Sequence, residues 1–181
     1  PETVKTIADS AFQNCDLSEV TLPPQLLSIG DYAFNGTGIQ SPIIPAAVTH
    51  IGKEAFDWDS VFTVSPDNQH YCSEDGILFN KDQTTLIRGT VDANLYQIPD
   101  TVKTVEDNAV KGDFITLVLP AGIQSIGESA FTSSILQTVL FLGDAPAYAG
   151  RGCFSSYPET ATINFYEDAV GFTTPTWAGY N

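Results

Sequence analysis

The dipeptide Ala-Phe returns along the chain at an almost constant interval, and no other feature so narrows what the chain can fold into. Val4-Lys-Thr-Ile7 leads to Ala11-Phe12, Leu26-Leu-Ser-Ile29-Gly30 to Ala33-Phe34, and Val48-Thr-His-Ile51-Gly52 to Ala55-Phe56, each dipeptide 22 residues after the last. Two more copies follow an interruption. Val102-Lys-Thr-Val105 leads to Ala109-Val110, and Ile123-Gln-Ser-Ile126-Gly127 to Ala130-Phe131, 21 residues on. Between them runs a second phrase: Leu17-Ser-Glu-Val20-Thr-Leu22-Pro23 reappears as Ile39-Gln-Ser-Pro42-Ile-Ile44-Pro45, Phe114-Ile-Thr-Leu117-Val-Leu119-Pro120 and Leu136-Gln-Thr-Val139-Leu-Phe141. A period of this length marks a solenoid in which each repeat is one coil.

The spacing has a physical meaning. In Leu17-x-x-Val20-x-Leu22 the last two apolar residues alternate as on a strand, and the proline that follows ends the ladder because it lacks an N–H. The Ile-Gly-Asp-Tyr-Ala-Phe phrase sends a second apolar residue inward, turns at the glycine and is expected to close with a short helical turn that drives Phe34 into the interior. One coil cannot bury enough apolar surface to hold itself, so stacking must supply the difference.

These phrases, Leu-x-x-Val-x-Leu-Pro and Ile-Gly-Asp-x-Ala-Phe-x-x-Cys or -Gly, resemble the BspA-type leucine-rich repeats of bacterial surface proteins. The resemblance runs from Val4 to Tyr180. It is specific, because ordinary leucine-rich repeats lack the Ala-Phe and carry an asparagine absent here. It implies a β-rich solenoid, a right-handed leucine-rich-repeat superhelix of stacked coils of about 21–23 residues with short helical turns and one hairpin insert. It also implies adhesion to host or matrix proteins as a class of function.

A single repeat domain over residues 1–181 is expected, with coils at 1–64, a hairpin insert at 65–94, further coils at 95–142 and a degenerate capping coil at 143–181. In the insert, Ser73 to Arg88 reads as two apolar runs around a polar turn. Leu95-Tyr-Gln-Ile98-Pro99 then resumes the strand phrase. Gly152-Cys153-Phe154 mimics the Ala-Phe dipeptide, Ala161 to Phe165 makes a last strand, and Trp177 and Tyr180 are placed to cover the open end. No matching N-terminal cap is visible, which suggests that Pro1 lies inside a longer array or just behind a removed leader.

Composition excludes several partners. With 7 Lys+Arg against 22 Asp+Glu the formal charge is -15, which repels nucleic-acid phosphates and anionic lipid surfaces. The longest uncharged stretch, Tyr32 to Gly52, contains Pro42 and Pro45, so no membrane insertion is expected. Three cysteines are too few for a disulfide scaffold. Cys15 and Cys153 fall at least five coils apart, so three free thiols are expected, with Cys153 in the place of a buried alanine and Cys72 in the insert. Asn35-Gly36-Thr37 is a formal glycosylation acceptor, silent in a bacterial source.

The chemistry-bearing residues point away from catalysis. His50 lies on an outward position and His70 in the insert, and neither stands beside a recognisable nucleophile motif. Metal-binding and nucleotide motifs are absent from the sequence, so no enzyme activity, metal or cofactor is expected. Two residues after each inward Ile or Val come Asp9, Asp31, Lys53, Asp107 and Glu128, a column that stacking brings to about 4.8 Å spacing. Capping of each coil's own turn is the preferred role, a weak cation site the alternative.

The outward positions of the strand phrase carry the functional clue. Ile43, Phe62, Ile115, Val118 and Leu140 are apolar where solvent favours Thr or Ser, and exposed apolar residues rimmed by polar ones mark binding surfaces. With the location that the family resemblance implies, a non-enzymatic, extracellular or cell-surface module that binds a protein or glycan ligand is expected. A structural spacer within a longer surface protein is the alternative, and the insert hairpin folding over the five residues would favour it.

Overall fold

A chain that repeats every 22 residues satisfies its backbone most simply by laying equal positions of successive coils side by side as parallel ladders. The computed structural model, which describes residues 2–156 and 161–172, is built this way. It forms two compact units, Pro1–Lys81 and Asp82–Asn181, and among the described residues no helix occurs. Trp177 and Tyr180 lie outside the described residues.

In the first unit Thr6–Ile7, Ser28–Ile29 and His50–Ile51 make a parallel ladder with Ile7, Ile29 and Ile51 in one inward column. On another side of the coils Ile43–Ile44 pairs with Thr63–Val64. The phenylalanines of the Ala-Phe dipeptides stack as a column, Phe12 on Phe34 at 5.3 Å and Phe34 on Phe56 at 5.1 Å, so the repeat period becomes the ring spacing. Phe34 is fully buried, whereas Phe12, at the end of the row, is 39% exposed.

The stretch 65–94 runs through the end of the first unit and the start of the second. Tyr71–Glu74 and Ile77–Asn80 form an antiparallel hairpin in the first unit. Its turn is Asp75-Gly76, both at positive φ (49° and 81°), the two-residue geometry that matches strand twist. Asn68 anchors it: the fully buried side chain donates to the carbonyls of Pro45 and Val48, and its Oδ1 accepts from the N–H groups of His70 and Tyr71. Thr85–Thr90 forms a rung of the second unit.

That rung serves two ladders. Thr85 and Leu86 pair with Thr104–Val105, followed by Ser125–Ile126 and Tyr148–Ala149. Gly89 and Thr90 pair with Val110–Lys111, followed by Phe131–Ser133 and Phe154–Ser156. A third ladder runs Leu95–Gln97, Thr116–Leu119, Thr138–Phe141 and Thr162–Asn164. Val105, Val110, Leu117, Leu119, Ile126, Phe131, Val139, Phe141 and Phe154 fill the interior. Phe172, stacked on Phe165 at 4.2 Å, meets Phe141 edge-on at 5.0 Å at the far end of this core.

The turns that hold Ala-Phe are not helical. Alternate residues donate to the next coil, Ser10 N–H to Asp31 O (2.8 Å), Phe12 N–H to Ala33 O (2.8 Å) and Asn14 N–H to Asn35 O (2.8 Å), so the turn is itself a ladder. Each turn also places one residue in the left-handed region at the same position: Ser10, Tyr32 and Glu54 in the first unit, Asn108, Ser129 and Gly152 in the second.

Candidate binding faces

The five outward apolar positions do not share one environment. Ile43 is 63% exposed. Ile115 and Leu140 are half-buried. Phe62 is only 3% and Val118 only 8% exposed, which corrects the expectation that both lie open on the surface.

Two physical causes separate them. The third coil is shorter than the period, so Thr63, not Phe62, stands opposite Ile43. Phe62 falls at the inward Pro42 position and packs edge-on against Phe56 at 5.7 Å. Val118 does point outward, opposite to Leu117 and Leu119, but it sits on a central strand between Gln97 and Leu140, which are in register with it. Side chains at strand spacing on both sides close over a small valine.

In the second unit the outer face of the third ladder consists of two columns. Leu95, Thr116, Thr138 and Thr162 form one, and Gln97, Val118, Leu140 and Asn164 the other. None is charged. Leu95 is 56% exposed and was missed in the sequence because Leu95-Tyr-Gln-Ile98 aligns it with an inward bend residue, whereas its partner is the outward Thr116. In the first unit the exposed large apolar residues include Ile43, Val61 (45% exposed) and Trp58 (48% exposed).

The acidic column has a different role from either expectation. Asp31 N–H donates to Asp9 Oδ1 (2.9 Å), Lys53 N–H to Asp31 Oδ1 (2.7 Å) and Glu128 N–H to Asp107 Oδ1 (2.8 Å). Each aspartate therefore caps the backbone of the next coil, not its own turn. A carboxylate accepting a backbone N–H gains a charge-assisted bond, which offsets the repulsion between stacked acids. The same device recurs where Val170 N–H donates to Asp144 Oδ1 (2.8 Å), and in reverse where Asp57 Oδ1 accepts from Gly36 N–H of the preceding coil (2.7 Å).

Potential reactive groups are dispersed. Among the described residues no three His, Cys, Asp or Glu side chains are grouped to hold a metal ion. His50 and His70 are both exposed. None of the three cysteines is in a disulfide: Cys15 is exposed, Cys72 half-buried with Sγ 3.3 Å from the Asn80 carbonyl oxygen, and Cys153 buried. Burial pushes the Glu106 carboxyl above the usual range against the attraction of Arg88, and the charge of Asp107 adds to the rise. Among the described residues no helix is long and apolar enough to cross a membrane.

Stacked short strands, a buried Ala-Phe column and ladder-like turns define a leucine-rich-repeat β-solenoid. The model of the BspA type leucine rich repeat region matches residues 1–91 and 85–174 in six copies, and the chain belongs to that family. Its fold is similar to a leucine-rich repeat protein from Eubacterium ventriosum (23% identity, TM-score 0.67, 93% of this chain and 47% of that one). It is also similar to a leucine rich cell surface protein from Faecalibacterium prausnitzii (25% identity, TM-score 0.59, 93% and 59%) and to the pneumococcal vaccine antigen PcpA (21% identity, TM-score 0.70, 91% and 49%). The chain spans about half the length of these structures. No curated protein sequence matches it.

Proposed function

We propose that the chain is a non-enzymatic, extracellular recognition module of a bacterial surface protein, and that the outer face of the third ladder contacts a protein or glycan. One observation carries this reading. In a chain with 22 acidic residues, the eight outward positions Leu95, Gln97, Thr116, Val118, Thr138, Leu140, Thr162 and Asn164 hold no charge at all. Burying such a face against a ligand desolvates no ion, and its hydroxyl and amide columns supply orientation. Family membership and the cell-surface neighbour support the location.

The test is a panel of matrix proteins and glycans probed with the full chain and with a Leu95→Asp, Leu140→Asp variant. At least one ligand is expected to bind the parent and to lose about tenfold or more in affinity with the variant. Binding that survives the double change refutes the face. No binding to any member of the panel favours a spacer role.

A further inference from the structure

The first unit carries an apolar patch unlike the neutral face of the second. Ile43 is 63% exposed, with the exposed Thr63 in register beside it. Val61 N–H donates to Gln40 O (2.7 Å), which sets Val61 on the neighbouring coil one outward position before Thr63 and so diagonal to Ile43. Diagonal side chains on adjacent strands lie about 7–8 Å apart, within one continuous surface. Trp58, 48% exposed, lies two residues before Ser60, whose hydroxyl donates to the Ile39 carbonyl (3.1 Å) four residues before Ile43.

The charge around this patch has one sign. Asp57 and Asp59 flank Trp58 in sequence, and Glu19 stands on the preceding coil one period before Ser41. The unit holds eleven acidic residues against Lys5, Lys53 and Lys81, and neither 6–52 nor 54–80 contains a lysine or arginine. An exposed indole beside carboxylates attracts cations by its ring face as well as by Coulomb force.

We propose that Ile43, Val61 and Trp58, rimmed by Glu19, Asp57 and Asp59, form a docking surface for a basic, apolar segment of a partner protein: extended chain with alternating Lys/Arg and aliphatic residues. The aliphatic side chains cover Ile43 and Val61 while the cations meet the rim and the indole. Charge complementarity selects this occupant over a second copy of the chain, which brings the same negative rim. The proposal is independent of the neutral face in the other unit.

The probe is a synthetic 12-residue peptide of alternating Lys and Val, titrated into the full chain by fluorescence of an attached dye, with an alternating Glu and Val peptide as counterpart. Binding of the Lys peptide only, weakened several-fold between about 50 and 200 mM salt, is expected. An Ile43→Thr, Val61→Thr variant keeps every charge and is expected to bind about tenfold more weakly at an unchanged melting temperature. Asp59→Asn is expected to reduce both affinity and salt dependence. Equal binding by the parent and the Ile43→Thr, Val61→Thr variant overturns the proposal, because it assigns the attraction to the diffuse negative charge. No binding by the parent overturns it as well, while the glycan and matrix panel judges the other face separately.

Discussion

Replacing Gly127 by alanine tests how the coils are stacked. A Cβ there would lie 2.5 Å from Asp107 N, 2.6 Å from Asp107 Oδ1 and 2.6 Å from the carbonyl carbon of Glu106, all in the coil beneath. Ordinary contact begins near 3.4 Å, so the upper coil must lift by nearly an ångström, and backbone atoms cannot swing aside as a side-chain tip can. Lifting strains three bonds at once: Gly127 N–H to Val105 O (2.9 Å), Glu128 N–H to Asp107 Oδ1 (2.8 Å) and Asn108 N–H to Glu128 O (3.0 Å). Overpacking costs about 1–3 kcal/mol. Partial loss of three hydrogen bonds at about 0.5–1.5 kcal/mol each brings the total to about 3–5 kcal/mol. For a chain of this size that lowers the melting temperature by about 6–20 °C. Gly122→Ala is the control, since nothing lies within 4 Å of its added Cβ. It should be neutral or stabilise by up to about 1 kcal/mol through the unfolded chain. Urea titrations of both variants give the comparison. Equal effects, or a loss below about 1 kcal/mol at Gly127, would refute the stacking argument.

Phe34→Ala removes the middle ring of the Phe12–Phe34–Phe56 column and should cost about 3–5 kcal/mol by cavity formation, measured by the same titration. Asp31→Ala deletes the acceptor for Lys53 N–H and should destabilise by about 1–2 kcal/mol, with Asp31→Asn recovering most of the loss because Oδ1 remains. Asn68→Ala leaves two carbonyls and two N–H groups around a buried void and should cost at least about 3 kcal/mol, with fastest hydrogen exchange appearing at residues 70–81. Glu106 binds its proton more tightly folded than unfolded, so its contribution to stability falls as pH rises from the ordinary carboxylate value of 4.5 through the raised folded value. Glu106→Gln should therefore melt higher than the parent at pH 7, and the gap should shrink as pH falls to about 4.5; a constant gap would count against the shift.

The repeat period, the coil as folding unit, the inward Ile and Phe columns and the lack of disulfides are all legible in the sequence, because each depends on positions that recur at one spacing. Even the glycines carry a readable rule. Gly30 and Gly127 follow the inward residue where the turn of another coil lies beneath, and a Cβ at Gly30 would meet Asp9 N at 2.5 Å. Glu106 instead stacks on the straight strand Thr85–Thr90, so that position admits a side chain.

Tertiary structure alone decided the rest. Whether an apolar residue of the strand phrase faces out depends on register with the neighbouring coil, and the short third coil turned Phe62 inward while leaving Val61 exposed. How much an outward residue is covered depends on its lateral neighbours, which distinguish Val118 between two strands from Leu95 opposite Thr116. The aspartate column shows the same limit. Its residue type and spacing are in the sequence, but the N–H that each carboxylate caps belongs to the next coil, 22 or 21 residues away, and only the stack brings the two within hydrogen-bond reach.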